Sequence, residues 1–205
     1  MPVSKRLTLI TEHVERMLRC TACPNMIGPV VSGRPVISPV MLIGQAPGSK
    51  EGPAGKPFAW TAGKTMFGWF ERLGLGEEDF RSRVYMAAVC RCFPGKGAKG
   101  GDRVPAPDEI ERCGVHLARE IELVQPRLVI PVGKLAIAQI FPDAEQLVDV
   151  VGKIERTTFH GRALDVAPLP HPSGASTWHR MEPGKTLLER GLRAIGAHEA
   201  WKAIR

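Results

Sequence analysis

The chain has 205 residues, 43% hydrophobic and 24% charged, enough apolar material for a packed core and unlike a collagen-like, mucin-like or disordered chain. Lys and Arg total 28 against 21 Asp and Glu, a formal charge of +7 that favours a polyanionic partner without naming it. The longest apolar runs, such as Leu128 to Val132, fall far short of the ~18 residues of a membrane-spanning helix, and no secretory signal opens the chain, so a cytoplasmic protein is expected.

Leu7, Ile10, Val14, Met17 and Leu18 recur at helical spacing and predict an amphipathic helix running from after Ser4 into Cys20. Beyond a Pro- and Gly-containing stretch, Pro39 to Ile43 predicts a buried strand that breaks at Gly44-Gln45-Ala46-Pro47-Gly48. Thr61 is placed as the N-cap of a helix that carries Met66, Phe67, Phe70 and Leu73 on one face and stops at Gly74. Val84 to Val89 predicts a second strand, and residues 95–103, with Lys96, Lys99 and Arg103, form a basic loop expected to be solvated. Pro105-Ala106-Pro107 then opens a helix through Ile110, Val115, Leu117 and Ile121 that carries Cys113. Leu128 to Val132 is a third strand, and Gly133 opens a short helix from Lys134 to Ile140. A hairpin turning at His160-Gly161 has Leu164 to Ala167 as its second strand, which leads into Pro168-Leu169-Pro170-His171-Pro172-Ser173. A last helix covers Gly184 to Ile204. With strands alternating with helices and no composition break, residues 1–205 are expected to form one α/β domain with a mostly parallel sheet.

Five cysteines in a reducing compartment point to metal ligation or plain burial rather than disulfides. Cys20-x-x-Cys23 has the bite of a metal chelate, and Cys92 and Cys113 lie where two distant segments each supply one more thiolate. Four sulfurs leave iron-sulfur and structural zinc both open. The Gly44 to Gly48 loop and His171-Pro172-Ser173 both follow strands, at the sheet edge where α/β proteins place their ligands.

The order Gly44-Gln45-Ala46-Pro47-Gly48, Gly55-Lys56-Pro57-Phe58, Cys92-Phe93-Pro94, Pro105-x-Pro107-x-Glu109 with Cys113, and His171-Pro172-Ser173 resembles the uracil-DNA glycosylase superfamily. It is most similar to the iron-sulfur branch called family 4, whose first motif reads GEAPG. The resemblance implies a three-layer αβα fold with a central, mostly parallel four-stranded sheet. It also implies a 4Fe-4S cluster on Cys20, Cys23, Cys92 and Cys113, with Cys90 and Cys92 as alternatives for the third ligand. The implied reaction is hydrolysis of the N-glycosidic bond of deoxyuridine after base flipping, by a monomer acting on uracil-containing DNA.

The same resemblance assigns roles. Gln45 and His171 are the expected catalytic pair, Gln45 to orient water and His171 to donate to the departing uracil. Gly44, Ala46, Pro47, Gly48 and Ala88 are expected around the base, with Phe58 stacked on it. Lys56, Ser173, Gly174, Ser176, His179 and Arg180 are expected on the DNA side, and Trp178 or Met181 as the apolar wedge that fills the vacated stack. Two departures stand out: neither Gln45 nor Ala46 is a carboxylate, which leaves Glu51 as the nearest substitute, and the strand before the third cysteine holds Ala88 where the family reads uracil with Asn. Hypoxanthine or xanthine thus remain alternative substrates. A non-catalytic iron-sulfur DNA-binding module is the rival from another class, and a phosphate-ester hydrolase ranks behind it because no Walker lysine accompanies the loop.

Overall fold

The structure, a computed structural model, describes residues 1–98 and 100–205; Lys99 of the basic loop lies outside the described residues. In chain order the elements are α1 (Val3–Met17), β1 (Val40–Gly44), α2 (Glu51–Ala54), α3 (Thr61–Glu71), α4 (Glu77–Arg83), β2 (Tyr85–Ala88), α5 (Pro107–Val124) and β3 (Leu128–Pro131). There follow α6 (Lys134–Ala138), α7 (Leu147–Val150), β4 (Glu155–Phe159), β5 (Arg162–Val166), a single 3₁₀ turn at Trp178–Arg180, α8 (Gly184–Ala197) and α9 (Glu199–Lys202).

β1 is buried along its whole length because it lies between two parallel partners and under helices on both faces. Its side chains alternate between two cores. Val40 and Leu42 join Met86, Leu128 and Ile130 against α3, α4, α8 and α9, while Met41 and Ile43 join Tyr85, Ala87 and Val129 against α1, α5 and α6. This is the expected three-layer αβα arrangement.

Among the described residues the sheet has five strands, in the order β2-β1-β3-β5-β4, rather than the expected four. The extra strand is the first arm of the hairpin turning at His160-Gly161, which pairs antiparallel with β5 at the sheet edge. β4 alternates half-buried and exposed residues, as an edge strand covered on one face does. Other boundaries shift for local reasons. Trp60, extended, precedes α3, so Thr61 is its first helical residue and not its cap. The last predicted helix breaks at His198, whose Nδ1 accepts from the Ala200 amide at 3.1 Å and whose Nε2 lies 3.1 Å from Asp165. Pro107 begins α5, and the Glu109 carboxylate accepts from the Ala106 amide at 2.7 Å, satisfying one of the free donors at the helix start. Among the described residues no helix is long and apolar enough to cross a membrane.

The C-terminal α9 closes the core through Trp201, which is fully buried, stacks on Phe70 at a centroid separation of 5.3 Å and donates its indole N–H to the Leu73 carbonyl at 3.3 Å. Trp201→Ala removes that area and leaves a cavity, and urea unfolding is expected to show a loss of about 3–5 kcal/mol. A loss under about 1 kcal/mol would contradict the packing described for α9.

Candidate active site and thiol cavity

Parallel pairing aligns the carboxyl ends of three strands. Gly44 lies beside Ala88, Ile43 beside Pro131, and a further bridge joins Val132 to Leu169 just before His171. The loop 44–48, the turn at Gly133 and the segment 168–173 therefore meet along one edge of the sheet.

At their junction the backbone of Gly133, with a φ of 89°, passes between two side chains. A Cβ there would stand 3.0 Å from the Gln45 amide carbon and 3.0 Å from His171 Cδ2. Glycine is thus required both for the left-handed backbone and for the approach of the pair. The Gln45 side-chain oxygen accepts from the Leu135 amide at 3.1 Å, in the first turn of α6. That bond turns the Gln45 –NH₂ away from α6 and leaves one lone pair of the oxygen for a further donor. His171 Nδ1 accepts from the Ser173 amide at 3.2 Å, which puts the ring proton of the neutral imidazole on Nε2. Burial lowers the His171 pKa below its ordinary value, against the opposing pull of Asp102, so the neutral, Nε2-protonated ring is the form present near neutrality.

Phe58 has a φ of 53°, a left-handed conformation that costs a residue with a side chain about 1–3 kcal/mol. Its ring lies on Gly44, where a Cβ would come within 3.1 Å of it, and its carbonyl lies on Gly63, where a Cβ would come within 1.8 Å. Pro47 is buried, and Gln45, Ala46, Gly48, Phe58 and Ala88 are half-buried around this edge. Glu51 opens α2 beneath the loop. Its carboxyl is pushed up from 4.5 to about 7, chiefly by burial, against the lowering effect of the Gly48 and Phe58 amides and Arg81.

The residues expected on the DNA side divide. Ser173 and Ser176 are half-buried, Gly174 is exposed, and Arg180 is exposed while donating to the Gly174 carbonyl at 3.0 Å, so the 173–180 loop is tied to itself. Lys56 is exposed, with Glu77 3.9 Å away. His179 is corrected: at 8% exposure it packs edge-on against Trp69, with the backbone of His171 beside its ring, and presents no charge to solvent. Trp178 is also corrected, because its indole packs with Ile137, Val150 and Leu187, and a Cβ on Gly184 would collide with it at 2.6 Å. Met181, the other wedge expected, is 62% exposed.

All five cysteines line one cavity of about 440 Å³, with Met17 and His116. Residues 27–31 run beside 91–93, joined by reciprocal Ile27–Phe93 bonds of 2.7 and 3.0 Å and by a Val31-to-Arg91 bond of 2.8 Å. Arg103 ties the same region together, donating to Glu109 with both terminal nitrogens and to the Asn25 carbonyl at 3.1 Å. Between Cys90 and Cys92, buried Arg91 pairs with Glu120 of α5, which also accepts from the Tyr85 hydroxyl at 2.8 Å. Cys90 is fully buried against Cys113, and a thiol–thiol hydrogen bond raises the Cys90 pKa and lowers that of Cys113 to about 7. Cys92 is only half-buried, packs beside Cys20 and feels the charges of Cys113, Cys20 and Cys23; burial, more than these, pushes it up to about 11. Among the described residues no three His, Cys, Asp or Glu side chains stand close enough to hold a single metal ion.

Gly133 and Arg81 escape a reading of motifs. Gly133 reads as an ordinary strand-to-helix turn, and the need for a positive φ is invisible without its neighbours. Arg81 lies in α4, seven charge-rich residues too short to show a periodic apolar face; the Glu77/Arg81 spacing of four is the only signal it carries.

Residues 32–193 match a family model described as the uracil DNA glycosylase superfamily. Type-4 uracil-DNA glycosylase of Archaeoglobus fulgidus is 32% identical over 138 residues, 65% of this chain and 65% of that protein, so the chain spans just under two thirds of it. Proteins of the same description from Saccharolobus solfataricus and Thermotoga maritima are 29% and 30% identical, over 92% and 78% of this chain and 84% and 79% of their own lengths.

The raised Glu51 pKa has a thermodynamic consequence. Between its ordinary value of 4.5 and about 7 the folded protein binds a proton that the unfolded chain has released, so this group makes stability fall as pH rises through that window. In urea unfolding at a series of pH values, Glu51→Gln is expected to gain stability relative to wild type from about pH 5 to about pH 7. A constant difference across that range would show that Glu51 is not buried as described.

Proposed function

The chain belongs to the uracil-DNA glycosylase superfamily, and from that membership we propose that it hydrolyses the N-glycosidic bond of deoxyuridine in DNA, leaving an abasic site. The observation that carries this is the meeting of Gln45, Gly133 and His171 at the carboxyl edge of the sheet, beside the aromatic ring of Phe58. The named activity of the similar Type-4 proteins supports the same reaction.

The glycosidic carbon is out of reach in a stacked duplex, so the nucleotide is flipped out at a cost of a few kcal/mol. Stacking of the base on Phe58 offsets part of it, and Gly44, Ala46, Pro47, Gly48 and Ala88 enclose it. As the bond breaks, negative charge gathers on the uracil ring and positive charge on the sugar. The Nε2–H of His171 donates to a uracil carbonyl oxygen, an interaction that strengthens as charge develops and so lowers the barrier. Because the ring is neutral, it stabilises the departing anion without first giving up its proton. Gln45 orients the water through the free lone pair of its amide oxygen, the other being held by Leu135; an electron-poor sugar requires orientation more than a strong base. Glu51, partly protonated near neutrality, is the alternative carboxylate nearest in the sequence.

With alanine at 88, the base edge meets backbone where an amide side chain is expected, which keeps hypoxanthine and xanthine among the bases to be tested. Lys56, Ser173, Gly174, Ser176 and Arg180 face the phosphates, and Met181 serves as wedge in place of the packed Trp178. The whole acts in the cytoplasm as a monomer.

The soft thiols that line one cavity suit iron or zinc held through sulfur. Cys20, Cys23, Cys92 and Cys113 would hold a 4Fe-4S cluster, with Cys92, half-buried and packed in the same apolar cluster as Cys20, favoured over the fully buried Cys90. Bound there, the cluster would cross-link the segment after α1 to the end of β2 and to α5.

Duplexes carrying uracil, hypoxanthine, xanthine or mispaired thymine, treated with protein and then alkali, test the reaction. The uracil strand is expected to be cut, with His171→Ala slower by about 10²–10³-fold. Cutting no faster than that variant would leave a DNA-binding module without this activity. Anaerobically purified protein is expected to be brown with about four iron atoms per chain, whereas a colourless zinc protein would overturn the cluster.

A further inference from the structure

Arg81 is 6% exposed, and each of its three guanidinium nitrogens donates to the protein. Nε donates to Glu77 at 2.8 Å, one terminal nitrogen donates to the Pro57 carbonyl at 2.8 Å and the other to the Phe58 carbonyl at 3.1 Å. The guanidinium carbon also lies 4.6 Å from the centroid of the Phe67 ring. A buried cation is costly unless it is hydrogen-bonded, so one whose three nitrogens each donate to the protein at this place points to something that must be held.

What it holds is Phe58. The left-handed φ of 53° at this residue is not a local preference, and two glycines only make room for it: Gly44 under the ring and Gly63 under the carbonyl. Room does not select a conformation. The two carbonyls gripped by Arg81 belong to consecutive residues, so their relative direction, and with it the direction of the Phe58 ring, is set by the planar fork of one guanidinium.

We propose that Arg81 is a positioning residue for the base pocket, its fork on the Pro57 and Phe58 carbonyls fixing the Phe58 ring in the orientation that stacks on a flipped pyrimidine. This rests on the role of Phe58 given above. A lysine keeps the charge but offers one ammonium point, which cannot span both carbonyls and Glu77 in the same geometry.

The test is a double-mutant cycle in single-turnover excision of uracil from duplex DNA, using wild type, Arg81→Lys, Phe58→Ala and the double variant. Affinity for the uracil-free duplex and urea unfolding are measured alongside. Arg81→Lys is expected to slow excision about tenfold with little change in affinity for uracil-free DNA. In the Phe58→Ala background the same change is expected to cost less than about twofold, since there is no ring left to place. A role confined to fold stability would slow both backgrounds alike, and that result overturns the proposal. Glu77→Gln leaves the guanidinium in place but removes the partner that orients it. If Arg81→Lys does not fold, Glu77→Gln is expected to show the same pattern at about two- to threefold, with equal slowing in both backgrounds again contradictory. If Phe58→Ala excises at the wild-type rate, the stacking role of Phe58 falls first; if Phe58→Ala is slow and the second change is additive, only the role of Arg81 falls.

Discussion

Everything at the functional edge depends on the parallel pairing of β1 between β2 and β3. A parallel sheet puts the ends of its strands on one side, and here that side receives the loop after Gly44, the end of β2 at Ala88, the turn at Gly133 and, through the Val132–Leu169 bridge, the segment that ends in His171. The pairing also requires both faces to be covered, so the residues of β1 alternate into two apolar cores and none is free to face water. The loops are thereby mounted on the buried centre of the sheet, where a close approach such as that of Gly133 to Gln45 and His171 can be maintained.

Two different devices hold the loops once the sheet has aligned them. On the thiol side, polar groups with fixed geometry do the work: Arg103 on Glu109 and Asn25, and Arg91 on Glu120, bring the three cysteine-bearing segments around one cavity. At Phe58 the device is strain with support. Phe58 occupies a conformation it would not choose alone; Gly44 and Gly63 leave it room, and Arg81 donates to the Pro57 and Phe58 carbonyls. In both places a buried arginine joins segments distant in sequence, a use of charge that adds specificity of arrangement more than net stability.

Much of this was legible in the residues. Buried strands and their Gly/Pro breaks led to one α/β domain with a mostly parallel sheet, because apolar runs and glycine turns act locally, and the resemblance carried by the motif order implied the αβα layers and the roles of Gln45, Phe58 and His171. What was not legible depended on neighbours. β4 looks like half of an isolated hairpin until β5 is seen beside β3, which makes it the fifth strand. His179 follows Trp178 in a polar stretch and reads as exposed charge, yet contact with Trp69 buries it. Arg81 carries no motif, and nothing in its own segment shows that the carbonyls it binds lie more than twenty residues earlier. Cys90 and Cys92 differ in burial, which their separation by two residues beyond the end of β2 does not reveal.

The most direct measurement is a crystal structure of the His171→Ala protein bound to a uracil-containing duplex, slow enough to keep its substrate. The uracil should lie outside the helix, stacked on Phe58 above Gly44, with a carbonyl oxygen facing the space vacated at position 171 and the flanking phosphates along residues 173–180. A uracil still stacked in the duplex, or DNA seated on another face of the sheet, would contradict the assignment of this edge as the base pocket.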